Sequence, residues 1–203
     1  MNHKYRILPL ICATLVVATT ASTHAQSAPV ATAQRLCDAL IGAMKQGKAL
    51  GFAARRDLLA PEIGRDMNLP LMTRIVVGSK WLAFTSAERD GLVQAFSDFS
   101  IANYASRFSA YSGERFVVDP AATTLGSGDV IVKSTLVPKE GDPVHLDYLM
   151  RQSNGQWQVI DVFLSGTISE LAARRSEYSA VLKSGGAGGL IELLQKKTAE
   201  ISG

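Results

Sequence analysis

Histidine and cysteine are scarce in this 203-residue chain, which has three and two of them. His3 and His24 lie within the first 25 residues, so a Ser-His-Asp or Cys-His mechanism would have to use His145. That histidine alternates with apolar residues on the solvent side of a predicted strand. The sequence also lacks a Gly-x-Ser-x-Gly elbow, a His-Glu-x-x-His pair and closely spaced cysteines. These absences argue against a hydrolase and a metal centre, and we predict no cofactor.

Long apolar runs are also few, and the longest is at residues 7–18. A bilayer-spanning helix needs about twenty apolar residues, so this run is too short to be one. Lys4 and Arg6 precede it, and the small residues of Thr23-His24-Ala25 follow it, as in a signal-peptidase site. We therefore predict a cleaved secretory signal over residues 1–25 and a single mature domain over residues 26–203.

Neither sign of charge dominates once that signal is removed. The 21 Lys and Arg residues fall to 19 with the loss of Lys4 and Arg6, against 18 Asp and Glu. Nucleic-acid binding, which depends on an excess of basic residues, therefore loses its support. Cys12 leaves with the signal, so the mature chain has no intrachain disulfide. We expect the remaining Cys37 to be a small buried residue.

Apolar spacing of three and four residues predicts helices at the start of the mature chain. The first helix ends at Gly47 and carries one apolar stripe, made of Ala33, Leu36, Cys37, Leu40 and Met44. Shorter helices are predicted around residues 52–59 and 69–77. Thr85 and Glu88 match a capping box and predict the start of the longest helix, which runs to about Ala110.

In the middle of the chain the apolar period shortens to two, which predicts strands. They cover residues 115–118, 129–137, 144–152 and 156–163. Asn154-Gly155 predicts a type I′ hairpin turn, because both central positions of that turn need a positive φ. The apolar face of the third strand consists of Val144, Leu146, Tyr148 and Met150, and the other face of His145, Asp147, Leu149 and Arg151.

From Ile168 onward the pattern returns to helix, and the glycines at 185–189 are predicted to end one helix and begin another. The order of elements predicts an α+β domain: N-terminal helices, a curved antiparallel sheet of about four to five strands, and C-terminal helices.

Two polar features allow alternatives. Asp161 lies in the apolar run 159–163, where it serves either as a general base or as a structural hydrogen-bond acceptor near the strand end. Arg174, Arg175 and Lys183 offer positive charge to a partner or an anionic headgroup, or else form a solvated helix face.

Three stretches near the C-terminus carry a family pattern: WQVIDVFLSG at 157–166, RRSEY at 174–178 and GGLIELL at 188–194. Upstream, RDM at 65–67, VGSKW at 77–81 and the helix to Tyr104 occur in the same order. With these stretches most of the mature chain resembles the MlaC, or toluene-tolerance, family of periplasmic lipid-binding proteins. This chain departs from the family pattern at two places: it has Asp-Met at 66–67, where Asp-Phe is usual, and Ala-Arg-Arg at 173–175, where Asn-Tyr-Arg is common. Residues 176–186 are closer to the hopanoid-associated branch of the family, HpnM.

The resemblance implies a periplasmic carrier that takes a hopanoid or phospholipid from an inner-membrane transporter and hands it to an outer-membrane acceptor complex, without catalysis. Such a carrier needs an apolar cavity between the sheet and the helices. We predict that this pocket is lined by Met72, Val76, Phe96, Phe99, Tyr104, Phe108, Leu146, Tyr148, Met150, Val159 and Val162. The simpler interpretation is that these residues fill a closed core. Two other functions are open: an enzyme of the lipid or steroid isomerase type with Asp161 as its base, and a module that binds peptides in its groove.

Overall fold

A computed structural model describes residues 27–203 of the chain. The predicted secretory signal, including Cys12 and His24, lies outside these residues. Among the helices of residues 27–203, none is both long enough and apolar enough to cross a membrane.

The described residues form an α+β fold, as predicted. Helices stand at both ends, with bounds Ala28–Asp66 (α1), Leu69–Val77 (α2), Ser86–Arg107 (α3) and Glu170–Ser202 (α4), and a 3-10 helix over Gly78–Ala83. The strands between α3 and α4 are Arg115–Thr124 (β1), Val130–Val137 (β2), Val144–Ser153 (β3), Gln156–Leu164 (β4) and Ile168–Ser169 (β5). They form one antiparallel sheet in the order of the chain, which short connections between neighbouring strands allow.

The first helix was predicted to end at Gly47, and this prediction was wrong. It continues to Gly51, whose φ of 70° and ψ of 177° interrupt the helix, and a second segment then runs to Asp66. Glycine tolerates this positive φ at little steric cost. The helix predicted over residues 52–59 therefore starts at the right place, but it continues to Asp66 and accommodates Pro61.

Two local signals in the sequence produce the structures they predict. The Thr85 side chain accepts from the Glu88 backbone N–H, while the Glu88 carboxylate accepts from the Thr85 N–H, which is a complete capping box. Asn154 and Gly155 have φ values of 50° and 78°, as a type I′ turn requires. The longest predicted helix nevertheless ends at Arg107 and not at about Ala110.

The sheet departs from regular alternation at two bulges, one between Val118 and Ala122 in β1 and one opposite Leu149 and Met150 in β4. Past the first bulge, β1 continues to Thr124, whereas the strand was predicted to end at residue 118. β1 pairs with β2 on one side and lies at the edge of the sheet, where Pro120 is tolerated.

The return to helix comes later than predicted. Ile168 belongs to the short strand β5, and Ser169 caps α4 by accepting a hydrogen bond from the Ala172 N–H. Within α4, Gly186 has non-helical angles, φ 60° and ψ −146°, so the glycine-rich stretch divides two helical segments as predicted. The helices pack against the inward face of the sheet, where Tyr148 and Met150 are buried, while His145 and Arg151 are exposed on the other face.

Candidate functional site

The helices and the sheet do not close completely over one another. A cavity of about 240 Å³ remains between them, near the C-terminal end of α3. It is lined by Leu40, Met44, Asn103, Tyr104, Arg107, Phe108, Leu136, Val144, Leu146, Tyr148, Val162, Leu164 and Glu170. Most of these side chains are apolar, so the cavity suits the apolar part of a ligand.

Each wall of the cavity follows from a pattern in the sequence. Leu40 and Met44 are the last residues of the apolar stripe of α1, and they face the sheet. Leu146 and Tyr148 alternate along β3, so both lie on its inward face. The third wall is the last turn of α3, where the rings of Tyr104 and Phe108 stack with centroids 5.9 Å apart.

Five of the eleven predicted pocket residues line this cavity: Tyr104, Phe108, Leu146, Tyr148 and Val162. The other six are buried in the closed core beside it: Met72, Val76, Phe96, Phe99, Met150 and Val159. The role of all eleven residues in binding lipid stays a prediction.

Several lining residues were not among the predicted set. Leu40 and Met44 were identified only as part of a helical stripe, and Leu136 only as part of a strand. Asn103, Arg107 and Glu170 are polar, whereas the predicted set consists of apolar and tyrosine side chains. Arg107 lies in the last turn of α3. The apolar period of a sequence locates a helix end only to within about one or two residues, so it does not show which side chains stand there.

The polar groups buried beside the cavity are uncharged. The Tyr148 hydroxyl lies 3.5 Å from the Cys37 Sγ, and burial raises the pKa of Cys37 to about 12. Burial also raises the pKa of Tyr148 and of Tyr104 well above the ordinary value for a tyrosine. These three groups therefore stay protonated near neutral pH, and no ionised group among them opposes an apolar ligand.

The charged groups lie at the edge of the cavity. Arg107 is exposed, and Val144 beside it is 44% exposed, so the cavity meets solvent here. Glu170 is held by an ion pair with Arg174, whose Nη2 lies 2.7 Å from its Oε1. The Arg174 guanidinium in turn covers the ring of Phe99, 4.9 Å from the centroid. Arg174 is thus engaged within the fold.

Asp161 does not line the cavity. Its Oδ1 accepts hydrogen bonds from the backbone N–H groups of Val162 (2.8 Å) and Leu171 (3.1 Å), and its Oδ2 accepts one from the Ser169 hydroxyl. The carboxylate therefore joins the end of β4 to the first turn of α4, as expected of a structural hydrogen-bond acceptor near the strand end. His145 is exposed on β3, with its Nδ1 3.1 Å from the Thr135 hydroxyl.

Comparison with known proteins places this fold. A solved structure with similar coordinates is that of a phospholipid-binding protein from Ralstonia solanacearum in complex with a phospholipid. The two are 24% identical, with a TM-score of 0.76 over 87% of this chain and 100% of the other. At that identity the likeness concerns the fold.

The sequence itself gives a more direct assignment. A sequence model described as "MlaC protein" matches residues 34–196, which extend from the apolar stripe of α1 to the second segment of α4. The match thus includes every strand and every wall of the cavity. The chain belongs to the MlaC family.

Proposed function

We propose that this protein is a periplasmic lipid carrier that holds the apolar part of a membrane lipid in the cavity between its helices and its sheet. The observation that carries the proposal is the cavity itself, with its apolar walls and uncharged buried tyrosines. Membership of the MlaC family and the likeness to a phospholipid-binding protein support it.

A carrier of this kind answers a definite energetic need. At about 0.8 kcal/mol per buried methylene, an acyl chain of about sixteen carbons resists transfer to water by on the order of 13 kcal/mol. A carrier lowers this barrier by covering the chain, and it must not bind much more tightly than the bilayer does, since it has to release its cargo. The donor and acceptor that we propose are an inner-membrane transporter and an outer-membrane complex.

The size of the cavity sets a requirement on binding. Pockets for drug-sized ligands measure about 300–1,000 Å³, and this cavity measures about 240 Å³. A membrane lipid therefore requires α1 and α3 to move away from the sheet. Such a movement would expose to the ligand the four predicted pocket residues of the closed core that lie on α3 and the sheet, which are Phe96, Phe99, Met150 and Val159.

Mass spectrometry of lipid extracted from the purified protein tests the proposal. We expect about one lipid per chain, and its identity distinguishes a hopanoid, as the HpnM-like residues 176–186 suggest, from a phospholipid. Protein purified from a hopanoid-producing host without any bound lipid, and unable to take lipid from vesicles, would contradict the carrier function. Bound peptide in place of lipid would favour a peptide-binding module.

A further inference from the structure

A second concave site lies on the surface between α2, β3 and α4. Its volume is about 500 Å³, and it is lined by Leu71, Arg74, Ile75, Gly78, Arg151 and Arg175. It shares no lining residue with the apolar cavity. Three of its six residues are arginines, from three different elements of the fold.

The positive charge of this site is not balanced within the described residues. Arg151 is neutralised by Asp129, since its Nε and Nη2 each donate to one carboxylate oxygen at 2.7 Å. Arg74 and Arg175 form no ion pair with any carboxylate in residues 27–203. Arg74 and Arg175, both exposed, thus line one concave surface without a carboxylate partner among these residues, and their charge is open to an anion from solution.

Arg175 is held in place by the backbone of Gly78. A Cβ at position 78 would lie 2.8 Å from the Arg175 Nη2 and 2.9 Å from its Cζ, so the guanidinium packs directly on the glycine. Gly78 also has a φ of 67° where it ends α2, which disfavours a side chain. One glycine therefore both ends the helix that carries Arg74 and admits Arg175.

We infer that Arg74 and Arg175, with Arg151 beside them, form a binding site for a phosphate-type oxyanion. Guanidinium groups match the oxygens of a phosphate through paired N–H donors, and two of them approach a tetrahedral anion from different sides. Leu71 and Ile75 are half-buried on the same surface and give the site an apolar floor beside the arginines. The site does not depend on the proposed lipid cavity.

Calorimetric titration of the purified protein with inorganic phosphate at low ionic strength tests this site. We expect the double variant R74Q/R175Q to bind phosphate at least about tenfold more weakly, since each arginine supplies charge-assisted hydrogen bonds. The matched control is R115Q/K133Q, which removes the same two charges from exposed positions on β1 and β2. Binding that is undetectable in the unmodified protein, or that is weakened equally in both variants, overturns the inference.

Vesicles identify the source of the phosphate group. Sedimentation with phosphatidylcholine vesicles, with and without phosphatidylglycerol, distinguishes a lipid headgroup from a free anion. Binding to the anionic vesicles that R74Q/R175Q loses and R115Q/K133Q keeps identifies a headgroup, whereas binding of inorganic phosphate alone identifies a free anion. The lipid content of R74Q/R175Q is expected to be unchanged. Failure of the anion site therefore leaves the carrier proposal intact, and failure of the carrier proposal leaves the anion site intact.

Discussion

The Arg55 Nε donates a hydrogen bond to the carbonyl oxygen of Ala105 at 2.6 Å, although 50 residues separate them in sequence. The same guanidinium donates through Nη1 to the carbonyl oxygens of Gly47 (2.8 Å) and Gly51 (3.1 Å). It thereby joins the interruption of α1 to the last turn of α3. The end of the cavity formed by Tyr104 depends on this junction.

Replacing Arg55 with Met is expected to lower the free energy of unfolding by about 2–4 kcal/mol, because three carbonyl groups, those of Gly47 and Ala105 buried, lose a charged donor. The matched control is Arg56→Met. The Arg56 side chain is 42% exposed and its Nη2 lies 3.6 Å from the Asp98 Oδ1, so its loss is expected to cost less than about 1 kcal/mol. Urea unfolding measures both, and equal effects would contradict the role given to Arg55.

Filling the cavity is expected to prevent lipid binding. Leu146→Trp places an indole in the space that the lipid chain would occupy, so we expect the lipid content of the purified protein to fall at least about tenfold. Leu149→Trp is the control, since Leu149 lies on the opposite face of the same strand. Quantitative mass spectrometry of extracted lipid, with circular dichroism to check folding, makes the measurement. Full occupancy in a folded Leu146→Trp variant would place the ligand elsewhere.

Asp161→Asn separates the carrier from an enzyme with a carboxylate base. Asparagine keeps only one acceptor oxygen, so the variant is expected to lose about 1–3 kcal/mol of stability while its folded fraction still binds lipid. Asp147→Asn, in the neighbouring strand, serves as the control. A conversion of bound lipid that Asp161→Asn abolishes without a loss of stability would favour the isomerase alternative.

The ion pair between Asp129 and Arg151 gives the stability a defined pH dependence. Hydrogen bonds from Arg151 lower the pKa of Asp129 below its ordinary value. A carboxylate of this kind stabilises the fold above its unfolded pKa of about 3.9, and loses that contribution as the pH falls through the folded pKa.

We therefore expect the free energy of unfolding of the unmodified protein to exceed that of Asp129→Asn by about 1 kcal/mol at pH 7. The difference is this small because Arg151 is half exposed and solvent screens the ion pair. The difference is expected to stay constant down to about pH 5 and to shrink below about pH 4. Urea unfolding at pH 7, 5 and 3 measures it. A difference that is the same at pH 3 as at pH 7 would show that the ion pair is not its source.

The cavity shows where sequence-based prediction of this site is limited. Apolar alternation correctly assigned Leu146 and Tyr148 to the inward face of β3, and the predicted pocket residues also included Met72 and Phe96, which are buried. All four residues are apolar and face inward, so the pattern treats them alike. Only Leu146 and Tyr148 line the cavity, whereas Met72 and Phe96 lie in the closed core. The difference depends on the distances between packed elements, which the apolar pattern of the sequence does not contain.

The bulge in β4 is a second example. Strict alternation places Val159 and Val162 on opposite faces, since they are three residues apart. In the structure Val159 pairs with Met150 and Val162 with Tyr148, and both valines are buried. An extra residue in one strand shifts the alternation, and no turn residue or capping residue marks its position.

The sequence by itself determined the elements whose signals are local: the capping box at Thr85, the turn at Asn154 and the alternating face of β3. These depend on backbone angles and hydrogen bonds within a few residues, which the residue types nearly dictate. Only the tertiary structure decided where helices and sheet fail to touch, and which arginines from α2, β3 and α4 meet at one surface. Those outcomes depend on distances between residues far apart in the chain, and these are set by packing of the whole domain.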